Sequence, residues 1–360
     1  MSTVNQNLFY VGLKGVFCFD GPFPQLCQKI TIVTPVINGF GIFGGGTCSK
    51  NSLSNTSIYT YSNNTSVSGL VLAYQPPYTS ATGIPSHSIF VGSDYGNSVI
   101  SVYTSIYTYS NNTISQGTWL NNPYSQQFTS AGNAVLGIFG GGSTANGMPS
   151  ATTTTYTYSN NAVADSGNLV YYAKAVAASG NSTTAIFGGG ITDLRASVNT
   201  SKYLYSSSSA LAGTNLMYGT YALASAANST VGVFGEGTTG GVPSSNIITT
   251  SVYVFSDDTV YASSYISNMV IDNGAATGDS AVGIFGGGYQ PTLVFLASMS
   301  DRIPQENLGT MLAPHYTSYA CLSATSIYNY ASGAITQGTN LTYAAGHIGA
   351  ASSTNIGVIS

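Results

Sequence analysis

Residues Ser57–Thr65 read SIYTYSNNT, and the same nine residues stand again at Ser105–Thr113, 48 positions later. Identity of that length marks an internal repeat, and repeats decide a fold before any single residue does. A second phrase keeps the same step. GIFGGG begins at Gly41, Gly137 and Gly283, with variants SIFVGS at Ser88, AIFGGG at Ala185 and GVFGEG at Gly232. Their phenylalanines, Phe43, Phe90, Phe139, Phe187, Phe234 and Phe285, lie 47, 49, 48, 47 and 51 residues apart. The aromatic pair of the first phrase recurs as Tyr59/Tyr61, Tyr107/Tyr109, Tyr156/Tyr158, Tyr203/Tyr205, Tyr253/Phe255 and Tyr328/Tyr330. A third phrase, GTxL, opens at Gly117, Gly213, Gly309 and Gly338.

GIF is a short apolar run bounded by glycine, the mark of a buried strand. IYTYS alternates aromatic and polar residues, the mark of a half-buried one. With the NN turn, a short further strand, the GT turn and a small-residue stretch, each unit holds about four strands. No unit has helical periodicity. Units of about 40–50 residues with four strands are propeller blades, since one such sheet buries its faces only against neighbouring copies around an axis. The GIF strands are expected innermost, where glycine gives room, and the YTYS tyrosines in the wider space between blades.

The unit resembles a kelch repeat: an apolar strand ending in a Gly doublet, then a Tyr in the next strand. Gly44-Gly45 with Tyr59 and Gly188-Gly189 with Tyr203 carry the resemblance, over nearly the whole chain. The usual kelch Trp is missing, because Trp119 is the only Trp. The low-charge GIFGGG and YTYSNN style is also similar to propeller proteins of tailed bacteriophages. The expected fold is an all-β, kelch-like propeller of four-stranded blades spanning 1–360 as one domain.

Seven blades is the preferred count, with six and eight open. Thr339–Ile359 aligns without gaps on Thr214–Phe234, so NIGVIS at the C-terminus is a seventh GIF-type strand. GVFCFDG at Gly15–Gly21 precedes the first GIF copy, so the last blade is expected to take strands from both termini. Phe285 to Tyr330 is 45 residues, where other units take 18 to 21. The excess, 289–316, reads as an insertion or a degenerate extra blade. It carries Arg302, Glu306, His315 and Tyr316, dense chemistry for this chain and the candidate interaction site.

Composition narrows the function. Hydrophobic residues are 43% and charged residues 5%, against roughly 25% charged in an ordinary soluble domain. Such a chain folds, and its Ser, Thr, Asn and Tyr surface lacks the Lys and Glu that deter association. Net charge is −4, and the 7 basic residues do not cluster, which argues against nucleic acid. No apolar run reaches membrane-spanning length, and MSTVNQNLFYVGLKG, with no basic start and no clean apolar run, does not read as a standard secretory signal. A protein of this kind acting outside a cell would leave by lysis or particle assembly. Cys18, Cys27, Cys48 and Cys321 form no CxxC pair. Buried free thiols are the expectation, with Cys18–Cys27 as the one short disulfide loop considered.

No catalytic constellation stands out. A galactose-oxidase-like copper site needs paired histidines, and His87, His315 and His347 fall in three different units. A sialidase needs an arginine cluster, and Arg195 and Arg302 are the only two. A glycosidase needs facing carboxylates. Asp94, Asp193, Glu236, Asp279 and Glu306 were weighed for that, with Glu236 read as a drifted repeat in an exposed turn. No cofactor or metal is expected. The sequence therefore points to a non-enzymatic structural or interaction protein of a virion, a head, neck or tail component docking on other particle proteins or on copies of itself. The alternative is a receptor- or glycan-binding, lectin-like propeller meeting a host surface sugar, and an enzyme ranks last.

Overall fold

A computed structural model describes residues 39–49, 51–93, 102–120, 127–144, 146–192, 195–239, 250–264, 273–292 and 318–354. The chain divides into two compact units, Met1–Asn38 and Gly39–Ser360, and every described residue belongs to the second. That unit contains six four-stranded antiparallel sheets. Their first strands touch one another in a closed cycle, so the sheets are blades around one axis.

The first strands of blades 2 to 6 are Tyr78–Ile84, Thr129–Gly132, Ala177–Gly180, Ala224–Ala227 and Ala275–Gly278. Blade 1 takes its first strand, Gly349–Ser352, from the C-terminal end of the chain, paired to Phe40–Gly44 in register Gly41↔Ser352. The ring is thus closed by strands from both ends. Six blades result, the lowest of the three counts considered, because the C-terminal copy contributes a strand to the first blade rather than starting another. Gly15–Gly21 and Asn355–Ser360 lie outside the described residues.

One expectation is corrected. The GIF strand is second from the axis, not innermost, and the small-residue stretch before it is the innermost strand. Six strands converge at the axis, and side chains such as Ala, Ser, Thr and Gly leave them room to do so. One step outward the blades diverge enough to hold Ile and Phe.

Each second strand then serves two interfaces. Successive residues point to opposite faces, so Ile186 packs toward blade 5 and Phe187 toward blade 3. Ile138 and Phe139 divide in the same way, as do Ile42 and Phe43. The first tyrosine of each YxY pair joins the Phe side: Tyr59, Tyr107, Tyr156, Tyr203, Tyr253 and Tyr328 are all buried against the preceding blade. Six apolar clusters result, one per interface.

The repeated nine residues now have a physical account. The Tyr156 hydroxyl donates to Asn161 Oδ1 at 2.9 Å across the turn that ends its strand. Tyr59 to Asn64 and Tyr107 to Asn112 repeat the bond. Those asparagines adopt φ of 52° to 55°, a region asparagine tolerates better than most residues. SIYTYSNNT therefore encodes a core tyrosine, its hydrogen-bond acceptor and the left-handed turn that brings the two together.

The second tyrosine reaches the innermost strand of the preceding blade. Tyr158 bonds Thr82 Oγ1 at 2.9 Å, and Tyr61 bonds Thr277 Oγ1 at 3.1 Å. The glycine opening GIF makes the approach possible, for a Cβ on Gly41 would stand 2.3 Å from Thr277 Cγ2 and 2.7 Å from the Tyr61 hydroxyl. Elsewhere one partner is lacking. The matching register positions are Ala131 for Tyr205 and Ala226 for Tyr330, while Ser179 faces Phe255. The Tyr205 and Tyr330 hydroxyls and Ser179 Oγ are accordingly among the buried polar atoms left without a partner. A buried unpaired polar group costs about 1–3 kcal/mol. Phe255→Tyr should therefore raise the unfolding free energy by supplying Ser179 with a partner, and Thr82→Val should lower it by about 1–3 kcal/mol, both read from urea midpoints.

Candidate functional site

The strand order gives the two ends of the propeller different characters. At one end lie the turns between first and second strands and the short NN turns. Asn133, Asn181 and Asn228 each accept backbone N–H groups of their own turn. Each also donates from its side-chain amide to a carbonyl of the next blade, at Ser182, Ser229 and Ser280. Asn228 belongs to an N-x-S/T sequon, but it is buried and its amide is already engaged.

At the other end lie all the second-to-third-strand connections, which are longer. The longest leaves blade 6 after Val282–Gly286 and returns to Thr325–Asn329, and those two strands pair directly, Gly283 opposite Tyr328. The excursion therefore starts and finishes within one blade, through a ribbon of Tyr289–Thr292 with Ser318–Cys321. Arg302, Glu306, His315 and Tyr316, the candidate interaction residues, lie outside the described residues.

The axis opens at this end into a cavity of about 110 Å³. Tyr78, Gln127, Ala175, Ala222, Asn273 and His347 ring its mouth, one from each blade. Five of them adopt φ of 53° to 57°. Around the ring the N–H of Ala175 donates to the Gln127 carbonyl, Ala222 to Ala175, Asn273 to Ala222 and His347 to Asn273, at 2.8–3.3 Å. The Thr79 N–H then donates to the His347 carbonyl at 2.9 Å. A second cavity of about 90 Å³ lies at the opposite end, lined by Thr82, Ser179, Thr277 and Ser352 among others. Among the described residues no Asp, Glu, Lys or Arg lines either one.

His347 is the imidazole at the mouth. Its ring meets Tyr78 edge-on at 4.5 Å and Tyr289 at 5.4 Å. Burial pushes its pKa down from 6.5 to about 4. His87 starts the second strand of blade 2 at the opposite end, so these two histidines share no site. Among the described residues no three His, Cys, Asp or Glu side chains gather as metal ligands. Of the acids weighed for hydrolysis, Asp94, Asp193 and Glu306 lie outside the described residues. Asp279 sits in a turn at the short-turn end, accepting the N–H of Ala281 and Val282. Glu236 is not in an exposed turn as expected. It is 3% exposed, with φ of 64° where the sister blades place Gly45, Gly141, Gly189 and Gly287. Glu236 and Asp279 thus belong to opposite ends and cannot act as a pair.

Cysteine usage is also corrected. Cys48 and Cys321 form a disulfide with S–S 2.10 Å and Cα–Cα 5.7 Å, joining residues 273 apart in sequence. It ties the blade 1 connection to the blade 6 excursion, across the seam where the ring closes. Beside it, the Tyr289 hydroxyl bonds Thr47. Only the fold brings these cysteines together, so spacing gave no signal for them. Cys18 and Cys27 lie outside the described residues. Sequence reasoning also missed the grouping of Tyr74, Tyr103 and Trp119 at this end. Tyr74 stacks on Tyr103 at 4.6 Å, and Tyr103 meets Trp119 edge-to-face at 5.2 Å.

These features define a six-bladed β-propeller with one elaborated end and one end of short turns. Its fold is similar to the solved structure of YjhT, with a TM-score of 0.57 and 12% identity over 76% of this chain and 86% of that one. At that identity the likeness is one of fold. No family model matches the chain, and no curated protein does.

Two outcomes follow from the mouth and the seam. Folded His347 holds a proton only below about pH 4, against about 6.5 for an ordinary histidine. Between those values the unfolded chain binds more protons, so His347's share of stability is complete above pH 6.5 and is lost as pH falls toward 4. His347→Asn, which tolerates positive φ, should flatten that part of the stability curve measured by urea unfolding at stepped pH. Reduction of the wild-type disulfide should lower stability by about 2–4 kcal/mol, whereas Cys48→Ser should begin lower and lose that response to reductant.

Proposed function

We propose that this chain is a kelch-type propeller working as a non-enzymatic docking component of a tailed-phage particle, with the elaborated end as its working surface. The observation that carries the reading is the asymmetry of the ends. Short Asx turns bonded to one another build one end, whereas the other presents the longer second-to-third-strand connections, a disulfide and a mouth with no charged side chain among the described residues. Binding surfaces gather where a rigid scaffold displays its loops.

The rim supports association as well. The outermost strands are Thr65–Ser68, Thr113–Gln116, Ala162–Ser166, Ser209–Ala212, Thr259–Ser263 and Ile335–Gln337, and Asp165 is their one charged residue. Val67, Leu211 and Tyr261 on those strands are about half exposed. Uncharged edges with apolar side chains are open to pairing with another chain. Other particle proteins and further copies of this chain are the partners that fit. A disulfide at the ring seam suits a protein that operates outside a reducing cytosol.

Mass spectrometry of purified particles, followed by cross-linking, tests the reading. Cross-links from the elaborated end or the rim to another structural protein are expected. Absence of the chain from particles, or a strictly monomeric chain that cross-links to nothing, would overturn it.

A further inference from the structure

We propose that Tyr74, Tyr103 and Trp119 form a binding platform for a neutral sugar ring. The repeat shows that the group is special to one place. Trp119 occupies the variable position of the GTxL phrase, where the units at Gly213 and Gly338 have Asn215 and Asn340. Tyr103 lies two residues before Ser105, where the corresponding residues are Asn55 before Ser57 and Asn199 before Ser201. Tyr74 alone is a repeated residue, matched by Tyr218 and Tyr343 two positions after their leucines. Two blade-specific aromatic replacements have thus been added beside a tyrosine that the repeat already supplies.

The geometry is that of a corner. Tyr74 and Tyr103 lie 21° from parallel, and Trp119 stands at 82° to Tyr103. Trp119 is 52% exposed, although Leu120 beside it is buried and anchors the connection. An indole held on a buried anchor with much of its surface in water offers a flat face with little conformational entropy to lose. The face of an aromatic ring carries partial negative charge, which attracts the slightly positive C–H groups on the face of a sugar ring. Tyrosine hydroxyls and the indole N–H are suited to bond the sugar's hydroxyls.

Charge selects the class of ligand. Blades 1 and 2 supply all three rings, and among the described residues those blades contain no Lys, Arg, Asp or Glu. Among the described residues of those blades an acidic sugar would find no cation, so a neutral glycan fits. The site does not rest on particle docking: a chain that binds sugar without joining a particle, or the reverse, would separate the two readings.

Trp119 is the chain's only Trp, so its fluorescence reports on the platform directly. The full chain is titrated with neutral oligosaccharides of glucose, galactose, mannose and N-acetylglucosamine, with sialylated and uronic acid oligomers and a proline-rich peptide alongside. A saturable emission shift with at least one neutral sugar, protection from acrylamide quenching and little dependence on salt are expected. On a matrix of that sugar, Trp119→Ala should weaken retention about tenfold or more, while Trp119→Phe should stay within about threefold of wild type. The proposal is overturned if no neutral sugar shifts the emission, if folded Trp119→Ala binds as wild type does, or if only the acidic sugars or the peptide bind.

Discussion

The structure depends on burial between blades. A single four-stranded sheet here could cover neither face by itself, and its second strand carries an Ile on one side and a Phe on the other. Each finds its cover in a different neighbour, Ile186 with blade 5 and Phe187 with blade 3. Apolar area removed from water stabilises at roughly 25 cal/mol per Å², and among the described residues nearly all the large buried side chains lie at such interfaces. Every blade thus needs both its neighbours, and an open row of blades would leave two faces wet.

Closure meets that need, and the chain secures it by several means at one seam. Gly349–Ser352 crosses from the C-terminal end to become the axial strand of the first blade. Phe43 and Tyr59 pack there with Ile284 of blade 6 and with Leu341 and Ile348 of the segment that leads from blade 6 into Gly349–Ser352. Thr339 bonds Asn64 across the same boundary, and the Cys48–Cys321 bridge covers it at the elaborated end. This interface joins distant parts of the chain, so its ordering entropy is greatest, and a covalent tie there removes more unfolded-state freedom than one within a blade.

With the interior committed to packing, function is left to the ends and the rim. The Asx turns of Asn133, Asn181 and Asn228 are occupied with holding neighbouring blades together. At the opposite end the backbone ring of the mouth and the seam disulfide also join blades, but outside them the repeats depart from one another: the long excursion of blade 6, Glu236 in place of a glycine, and the aromatic corner of blade 2. In a repeat protein, residues that follow the pattern build the scaffold, and those that depart from it are where particular function can enter.

The sequence by itself determined the blade. Step length, the GIF strand, the YxY strand and the NN turn are all local, and local period and turn chemistry survive in a one-dimensional reading. It also pointed to a blade completed from both sides of the chain, because the C-terminal residues copy an internal unit, and the strands seen to pair in this way are Phe40–Gly44 and Gly349–Ser352. Tertiary structure decided which strand lies on the axis, since Ala, Ser and Gly stretches read as weak linkers until six of them are seen to converge. It decided the count of six, because a copy of the repeat could either begin a new blade or complete the first. It alone paired Cys48 with Cys321 and brought Tyr74 to Tyr103 and Trp119. The disulfide joins distant units and the Tyr74–Tyr103 stack crosses from one unit to the next, so only the arrangement of neighbouring blades brings them within reach, while Tyr103 meets Trp119 across the pairing of two strands of one blade.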